Sequence, residues 1–315
     1  MYTFLELLTW FISAYIIIRI YKACWIMGKS LLVHYILPQY SLDRLKNSWT
    51  VCTGATDGIG KAYVFELART RGIRKFYLLG RNANKLDAVK SELKKAFGAE
   101  VKTAIFDFAK DNLSALPKEL EFLDVGILVN CAGIAPNSIG TLTDNRPGLC
   151  SEILQVNLMA AVKMLELVLP GMIKGDKGVV VNVSSFTCWR PMPYLSSYPA
   201  SKAALSFLSD ALSDEYRKSN VKIQCLAPLF VATKAAAYEE SEANNFLVVT
   251  TDTFARQAVN LIGKSDFVTG CMQHDAQVAI GALFPYWLFK MLYIPFVILG
   301  EHKGRVAAYQ KKHNL

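Results

Sequence analysis

The feature that most constrains the fold is an alternation of short β-branched segments and longer amphipathic segments, which begins at Trp49. Alternation of this kind predicts one doubly wound α/β domain, Rossmann-like, in which helices cover both faces of a parallel sheet. The run VVVNV has the continuous apolar character of a strand buried on both faces. The predicted strands are 50–53, 75–79, 101–106, 126–130, 178–183, 221–226 and 267–271, and the predicted helices include 59–71, 84–97, 150–173 and 198–219.

The N-terminal residues 4–18, FLELLTWFISAYIII, form an apolar run that no basic residue precedes and that Arg19, Lys22 and Lys29 follow. Its length and charge asymmetry predict a membrane helix whose downstream side faces the cytosol. A cleaved signal peptide is the main alternative, but the basic leading region and the small-residue cleavage site are not convincing. A buried core helix is disfavoured because the run lies outside the α/β pattern.

A second apolar stretch, residues 279–300, is interrupted by Pro285, Lys290 and Pro295. Two prolines and a lysine would be costly in a straight span, so we expect a membrane-dipping pair of short helices rather than a second spanning helix. The tail KKHNL resembles a dilysine retrieval signal with its lysines displaced. The chain thus divides into an anchor and linker (1–40), a nucleotide-binding catalytic domain (41–278) and an apolar segment with a basic tail (279–315).

Charge and composition exclude several classes of site. The formal net charge is +9, but the basic residues are scattered and no nucleic-acid motif accompanies them, so a basic surface facing anionic lipid is the preferred interpretation. The seven cysteines include no CxxC pair and indicate reduced core residues of a cytosol-facing domain. The four histidines have no metal-ligand spacing, and we predict no metal site.

A glycine-rich segment, TGATDGIG, follows the first predicted strand and precedes a helical pattern. Glycines at these spacings permit a tight turn, a close approach of backbone to a pyrophosphate and close packing of helix on sheet. The helix N-terminus then offers N–H donors to the phosphates. The cofactor-binding candidates in this segment are Thr53, Gly54, Thr56, Asp57, Gly58, Ile59 and Gly60.

The second predicted strand ends at Gly80-Arg81, where an NAD-specific site would place a carboxylate against the ribose. Arg81 is instead predicted to pair with the 2′-phosphate of NADP, the alternative being a solvated arginine at a helix start. Asp107, after the third strand, is a candidate acceptor for the adenine amino group. A simple helix-capping role for Asp107 remains open.

The segment Tyr198-Pro199-Ala200-Ser201-Lys202 begins a predicted helix, so Tyr198 and Lys202 project from one face. A tyrosine has an ordinary pKa of about 10, and we expect a neighbouring ammonium and a cationic nicotinamide to lower it so that Tyr198 exchanges protons at neutral pH. Ser185, at the carboxyl end of a strand, is a candidate to bind the reacting oxygen. Asn157 is a polar residue among apolar neighbours and a candidate to hold a water that links Lys202 to solvent.

Taken together, TGATDGIG, NCAG, VNL, VNVSS and YPASK resemble the short-chain dehydrogenase/reductase family in order and spacing from residue 49 to about 235. The resemblance implies that NADP(H) is the cofactor. It also implies a catalytic tetrad, with Lys202 holding the nicotinamide ribose, and substrate contacts from Ser185 and Tyr198. The residues so implied are Asn157, Ser185, Tyr198 and Lys202 for catalysis, with Asn130, Gly133 and Thr233 added to the cofactor site.

Within the family, the chain is most similar to the membrane-bound branch of 17β-hydroxysteroid dehydrogenases and very-long-chain 3-oxoacyl-CoA reductases. The N-terminal anchor, LLGRN, PLFVATK and the basic C-terminus carry this resemblance. Cys131 departs from the family's usual NNAG, which affects a structural hydrogen bond rather than the chemistry.

We therefore expect an oxidoreductase that interconverts ketone and hydroxyl on a lipidic substrate at the endoplasmic-reticulum membrane, with its catalytic domain facing the cytosol. A steroid is the first substrate class, and a 3-oxoacyl-CoA of fatty-acid elongation is the alternative. A non-catalytic nucleotide-binding membrane scaffold and a soluble carbonyl reductase with a signal peptide are rivals of other classes. The oligomeric state, including a homo-oligomer, stays open.

Overall fold

A seven-stranded parallel sheet forms the centre of the structure. The structure is a computed structural model that describes residues 3–243 and 245–313 of the chain. Its strand order is β3-β2-β1-β4-β5-β6-β9, and two short strands, β7 and β8, pair separately. The order reverses between β1 and β4, which opens a crevice at the carboxyl ends of those strands. The strands are β1 Trp49–Thr53, β2 Lys75–Gly80, β3 Glu100–Ile105, β4 Val125–Asn130, β5 Gly178–Val183, β6 Val221–Leu226, β7 Phe230–Val231, β8 Val248–Val249 and β9 Phe267–Val268.

Helices cover both faces of this sheet, and further helices lie at both ends of the chain. One hydrophobic cluster packs α2, α3 and α7 on one face, and a second packs α5 on the other. The doubly wound fold expected from the sequence is confirmed. The helices are α1 Phe4–Leu31, α2 Gly58–Arg71, α3 Ala83–Phe97, α4 Leu149–Leu154, α5 Ala160–Lys174, α6 Ser197–Glu215, α7 Thr251–Asn260, α8 Met272–Ala282, α9 Tyr286–Leu292 and α10 Lys303–His313.

Two elements differ from the sequence-based expectation. The helix expected over 150–173 is divided, because a π-turn at Gln155–Met159 separates α4 from α5. The last strand ends at Val268 rather than residue 271, since Gly270 has a positive φ of 98° and redirects the chain into α8.

The N-terminal helix is longer than its apolar run. With the π-turn that continues α1, it covers Phe4–Ile36, 33 residues that are long and apolar enough to cross a membrane. At 1.5 Å per residue the helix is about 50 Å long. Its first half is exposed, whereas its second half packs along α8. There the Asp275 carboxylate accepts hydrogen bonds from Ser30 Oγ at 2.7 Å and Thr269 Oγ1 at 2.7 Å, and it lies 3.2 Å from His34 Nε2.

The C-terminal apolar stretch bends sharply. Helix α8 and the helical segment Tyr286–His313 meet at an angle of 103°. Pro285 stands at this bend, as the helix-breaking character of proline predicts. In the segment Tyr293–His302, the side chains of Ile294 and Ile298 are buried against Ile139 and Ala237. The segment therefore packs on loops at the carboxyl ends of the central strands. The last two residues of KKHNL lie outside the described residues.

The Asp275 contacts predict a stability effect. Asp275→Ala would leave the hydroxyls of Ser30 and Thr269 and the ring of His34 without their buried acceptor, which should lower the free energy of unfolding by about 3 kcal/mol. Thermal unfolding of the full chain in a neutral detergent measures this, with Asp214→Ala on the exposed side of α6 as the matched control. Equal unfolding midpoints for the two variants would contradict the conclusion that hydrogen bonds to Asp275 stabilise the packing of α1 on the domain.

Candidate active site

The glycine turn after β1 is fixed by close approaches of backbone to backbone. Gly54 has a φ of +68°, and a Cβ there would lie 2.9 Å from the backbone N of Ala132. A Cβ on Gly60 would lie 2.4 Å from the Gly54 carbonyl oxygen. No larger side chain fits at either position without moving the main chain. Asp57 caps α2 by accepting from the Gly58 N–H at 2.9 Å.

Buried polar side chains hold the carboxyl ends of β1, β4 and β5 together. Thr53 Oγ1 accepts from the backbone N–H groups of Cys131 and Ala132, both at 3.0 Å. Asn130 Nδ2 donates to Asn182 Oδ1 at 2.9 Å inside the sheet. Both Thr53 and Asn130 had been expected at the cofactor site. Their side chains shape the turns that border the crevice, and both residues stay predictions as cofactor ligands.

The end of β2 lies directly beside the glycine turn. A Cβ on Gly80 would come within 2.9 Å of Thr56 Cγ2, so the exposed Arg81 stands next to that turn. Lys85, on the first turn of α3, places its ammonium 3.0 Å from Asp57 Oδ2. The sequence interpretation missed Lys85, although its position in LLGRNANK, close after Arg81, is a usable signal.

The loop after β6 closes over the same turn. The methyl group of Thr233 is 3.1 Å from the position of a Cβ on Gly58, and Lys234 Nζ is 3.2 Å from Asp57 Oδ2. Partial burial alone would raise the pKa of Asp57, but the ammonium groups of Lys85 and Lys234 lower it overall. A cluster of two cations and one carboxylate thus lies at the N-terminus of α2.

Asp107 and Ile59 have local roles in the structure. Asp107 Oδ1 accepts from the Ala109 N–H at 3.0 Å in a turn after β3, and within the described residues no helix begins there for it to cap. Ile59 is half-buried and packs against the larger hydrophobic cluster. Neither side chain is shown to face a nucleotide, and both stay predictions as cofactor ligands.

The fold brings Tyr198, Lys202, Ser185 and Asn157 together at the carboxyl ends of β4 and β5. Lys202 is 4% exposed, and its Nζ donates to the Val183 carbonyl at 2.8 Å. The same Nζ is 5.8 Å from the centre of the Tyr198 ring. Ser185, also buried, lies two residues after β5 and caps the short 3₁₀ turn Phe186–Trp189.

The electrostatics differ from the expectation for Tyr198. Burial raises the pKa of Tyr198, and the hydrogen bond with the Ser185 hydroxyl only partly opposes this effect. Burial lowers the pKa of Lys202 to about 8, because its desolvated ammonium has a carbonyl rather than a carboxylate as its partner. A lowered phenol pKa, expected from the Tyr-Lys spacing, is therefore not found in the protein alone.

Asn157 lies in the π-turn that interrupts the long helix. Its Oδ1 accepts from the Ile134 N–H at 2.8 Å, while its Nδ2 donates to the Ile134 carbonyl at 2.9 Å and to Ser201 Oγ at 3.1 Å. Ser201 Oγ in turn donates to the Tyr198 carbonyl at 2.7 Å. Asn157 therefore ties the chain after β4 to α6. The sequence predicts that Asn157 holds a water, and this stays a prediction. The sequence did not identify Ser201 as a hydrogen-bond partner of Asn157, although the position of Ser201 next to Lys202 in YPASK was a usable signal.

Gly133 completes this arrangement. A Cβ at Gly133 would be 3.4 Å from both Asn157 Oδ1 and Lys202 Nζ. Gly133 therefore lies against both the asparagine and the lysine. Over the described residues, no group of three or more His, Cys, Asp or Glu side chains is placed to hold a metal ion.

Comparison with known proteins identifies the family. The short chain dehydrogenase family model matches residues 48–244. The human 17-beta-hydroxysteroid dehydrogenase type 3 is 36% identical over 84% of this chain and 85% of its own length. The mouse very-long-chain 3-oxoacyl-CoA reductase is 33% identical over 84% of this chain and 82% of its own length.

Two further matches extend the comparison. An uncharacterized oxidoreductase, dhs-27 of Caenorhabditis elegans, is 59% identical over 57% of this chain, although this chain spans only 22% of that protein's length. The solved structure of a short-chain dehydrogenase from Sphingobium yanoikuyae in complex with NADPH superposes with a TM-score of 0.60 and 26% identity, covering 67% of this chain and 83% of that one.

The chain therefore belongs to the short-chain dehydrogenase family and is an oxidoreductase. The glycine turn, the buried lysine, the serine after β5 and the tyrosine of α6 are its candidate active-site features.

Proposed function

We propose that this enzyme uses NADPH to reduce a ketone on a lipidic substrate that it takes from the membrane. A steroid ketone is the first substrate class, and the ketone of a 3-oxoacyl-CoA is the second. The observation that carries the proposal is the convergence of Tyr198, Ser185 and Lys202 at the strand ends beside the glycine turn. A scaffold that only binds nucleotide would not need all three side chains.

In this proposal, bound NADPH supplies the hydride to the carbonyl carbon. Tyr198 donates its phenolic proton to the carbonyl oxygen, and Ser185 donates a hydrogen bond to the same oxygen. A tyrosine phenol with its ordinary pKa of about 10 is protonated at neutral pH, so Tyr198 can donate a proton in the reduction direction. Lys202 holds the nicotinamide ribose, and Asn157 keeps α6 in register with the turn after β4.

The chain's own residues fit NADP(H). The glycine turn admits a backbone only, as a pyrophosphate cradle requires. The exposed Arg81 stands at the end of β2, where an NAD-specific site would have an acid, and it would pair with the 2′-phosphate of NADP. Lys85, whose ammonium is paired with Asp57, is a second candidate for this phosphate. The solved neighbour from Sphingobium yanoikuyae carries NADPH, which supports the same assignment.

A lipidic substrate is supported by the C-terminal segment. Its residues Ile294 and Ile298 are buried over Ile139 and Ala237, beside Tyr194 and Leu195, which lead into α6. This apolar wall adjoins the catalytic end of the sheet, and the relatives that match most of the chain are named for steroid and very-long-chain acyl substrates. With α1 as a membrane anchor, we place the enzyme at the endoplasmic-reticulum membrane, with the catalytic domain on the cytosolic side.

Tyr198→Phe should abolish turnover while leaving nucleotide affinity nearly unchanged. The substitution removes only the proton donor, and general acid catalysis typically contributes a factor of 10² to 10⁴. Steady-state kcat and an independent NADPH titration separate the two effects. Retention of more than about a tenth of wild-type kcat would refute the role of Tyr198.

Arg81→Glu should weaken NADPH far more than NADH, because a carboxylate replaces the phosphate partner and repels the 2′-phosphate. The ratio of kcat/KM for the two cofactors should invert. Lys95→Glu, an equal charge reversal on the exposed face of α3, serves as the control. An equal loss for both nucleotides would show that Arg81 does not contact the 2′-phosphate.

The efficiency should rise with substrate size. Each CH₂ that becomes buried contributes about 0.8 kcal/mol, so kcat/KM should increase steeply from short water-soluble ketones to steroid or long-acyl ketones. A homologous ketone series assayed with the full chain in neutral detergent measures the slope. A flat profile would favour a general carbonyl reductase instead.

A further inference from the structure

Two cationic side chains lie over the ring of Tyr286 at the C-terminal bend, and a third reaches the same bend from α1. The guanidinium of Arg190 stacks on Tyr286, with Cζ 4.6 Å from the ring centre, and Lys290 Nζ is 5.1 Å from the same ring. Arg19, from α1, donates to the Phe284 carbonyl, two residues before Tyr286. Three separate parts of the chain thus bring positive charge to the start of α9.

No acidic side chain balances these charges. Within residues 3–243 and 245–313, neither Arg19, Arg190 nor Lys290 forms an ion pair with a carboxylate. The Nε of Arg19 is buried and has no hydrogen-bond partner among the described atoms. Partial burial and then the charge of Arg19 lower the pKa of Arg190, so the two guanidinium groups lie close enough to repel. Bringing like charges together in this way costs free energy unless an anion joins them.

The cluster lies where the enzyme would meet both a membrane and its substrate. Arg19 directly follows the exposed apolar run of α1, and Trp189 and Trp287 expose 48% and 64% of their surface nearby. Aromatic side chains at this level mark a bilayer interface. Arg190 is also part of the loop that begins at Ser185, and Tyr286 donates from its hydroxyl to the Pro191 carbonyl of that loop at 3.0 Å.

We propose that Arg19, Arg190 and Lys290 form a site for the phosphate group of an amphiphile at the rim of the substrate pocket. Two guanidinium groups offer planar, paired donors that match phosphate oxygens. The apolar part of the amphiphile would extend along the exposed side chains of α1 and α9. This site deepens the proposed function, because a phospholipid headgroup and the phosphates of a CoA thioester share this chemistry, whereas a steroid ketone has no phosphate.

Ligand-induced thermal stabilisation of the full chain in neutral detergent tests the site without requiring turnover. The probes are dihexanoyl phosphatidic acid with dihexanoylglycerol as its phosphate-free match, and coenzyme A with pantetheine as its match. Coenzyme A is titrated with NADPH at saturation, so that its adenosine phosphate cannot enter the cofactor site. We expect stabilisation by the phosphate-bearing member of at least one pair and none by its match.

The variants assign that stabilisation to the cluster. Arg19→Gln and Arg190→Gln should each weaken the binding of the phosphate probe by about tenfold, since each removes a charge-assisted hydrogen bond. Arg190→Lys should retain only part of the affinity, because it keeps the charge but loses the paired donors, and Arg217→Gln, an exposed arginine beyond α6, should retain all of it. Stabilisation by NADPH in every variant establishes that each is folded.

The outcomes identify the source of the phosphate. An effect confined to phosphatidic acid assigns the site to a membrane lipid, and an effect on coenzyme A assigns it to the substrate headgroup. Equal affinities in wild type, Arg19→Gln and Arg190→Gln would overturn the proposal. Failure of the wild type to reduce any ketone would refute the proposed function separately, because the binding measurement does not depend on hydride transfer.

Discussion

The burial of the Lys202 ammonium is the interaction on which the rest of the active site depends. A desolvated cation must be given an acceptor, and here the Val183 carbonyl at the end of β5 provides it at 2.8 Å. That bond sets the position of α6, and with it Tyr198, relative to the sheet. A Cβ at Gly133 would lie 3.4 Å from the lysine Nζ, so the turn after β4 passes close to the buried ammonium. Fold and chemistry are therefore coupled at one side chain.

Much of this arrangement was predictable from sequence because its causes are local. The order of strand, turn and helix and the spacing of the glycines predicted the glycine turn after β1. The i, i+4 spacing predicted that Tyr198 and Lys202 lie on one face of α6. The remainder depends on long-range packing. The hydrogen bonds between Asn157 and Ile134 require a π-turn, which the periodicity of the sequence does not predict. The pKa of Tyr198 depends on its burial, which the spacing between Tyr198 and Lys202 does not predict.

The two ends of the chain bear on substrate rather than on hydride transfer. Helix α1 would be an independent anchor if it made no contact with the domain, yet its second half packs on α8 and hydrogen-bonds to Asp275. The bent C-terminal segment packs its buried isoleucines on loops at the carboxyl ends of the central strands. The apolar N-terminal helix and the C-terminal segment both pack on the domain, which supports the proposal that the substrate arrives from the bilayer.

The most direct test of this account is product identification with labelled cofactor. Membranes containing the full chain are incubated with NADPH carrying deuterium at the transferable position, together with a panel of ketosteroids and 3-oxoacyl-CoAs. The account predicts an alcohol product with one deuterium on the carbinol carbon, formed from at least one lipidic ketone. Absence of a deuterated alcohol from every lipidic ketone, while NADPH still binds, would contradict it.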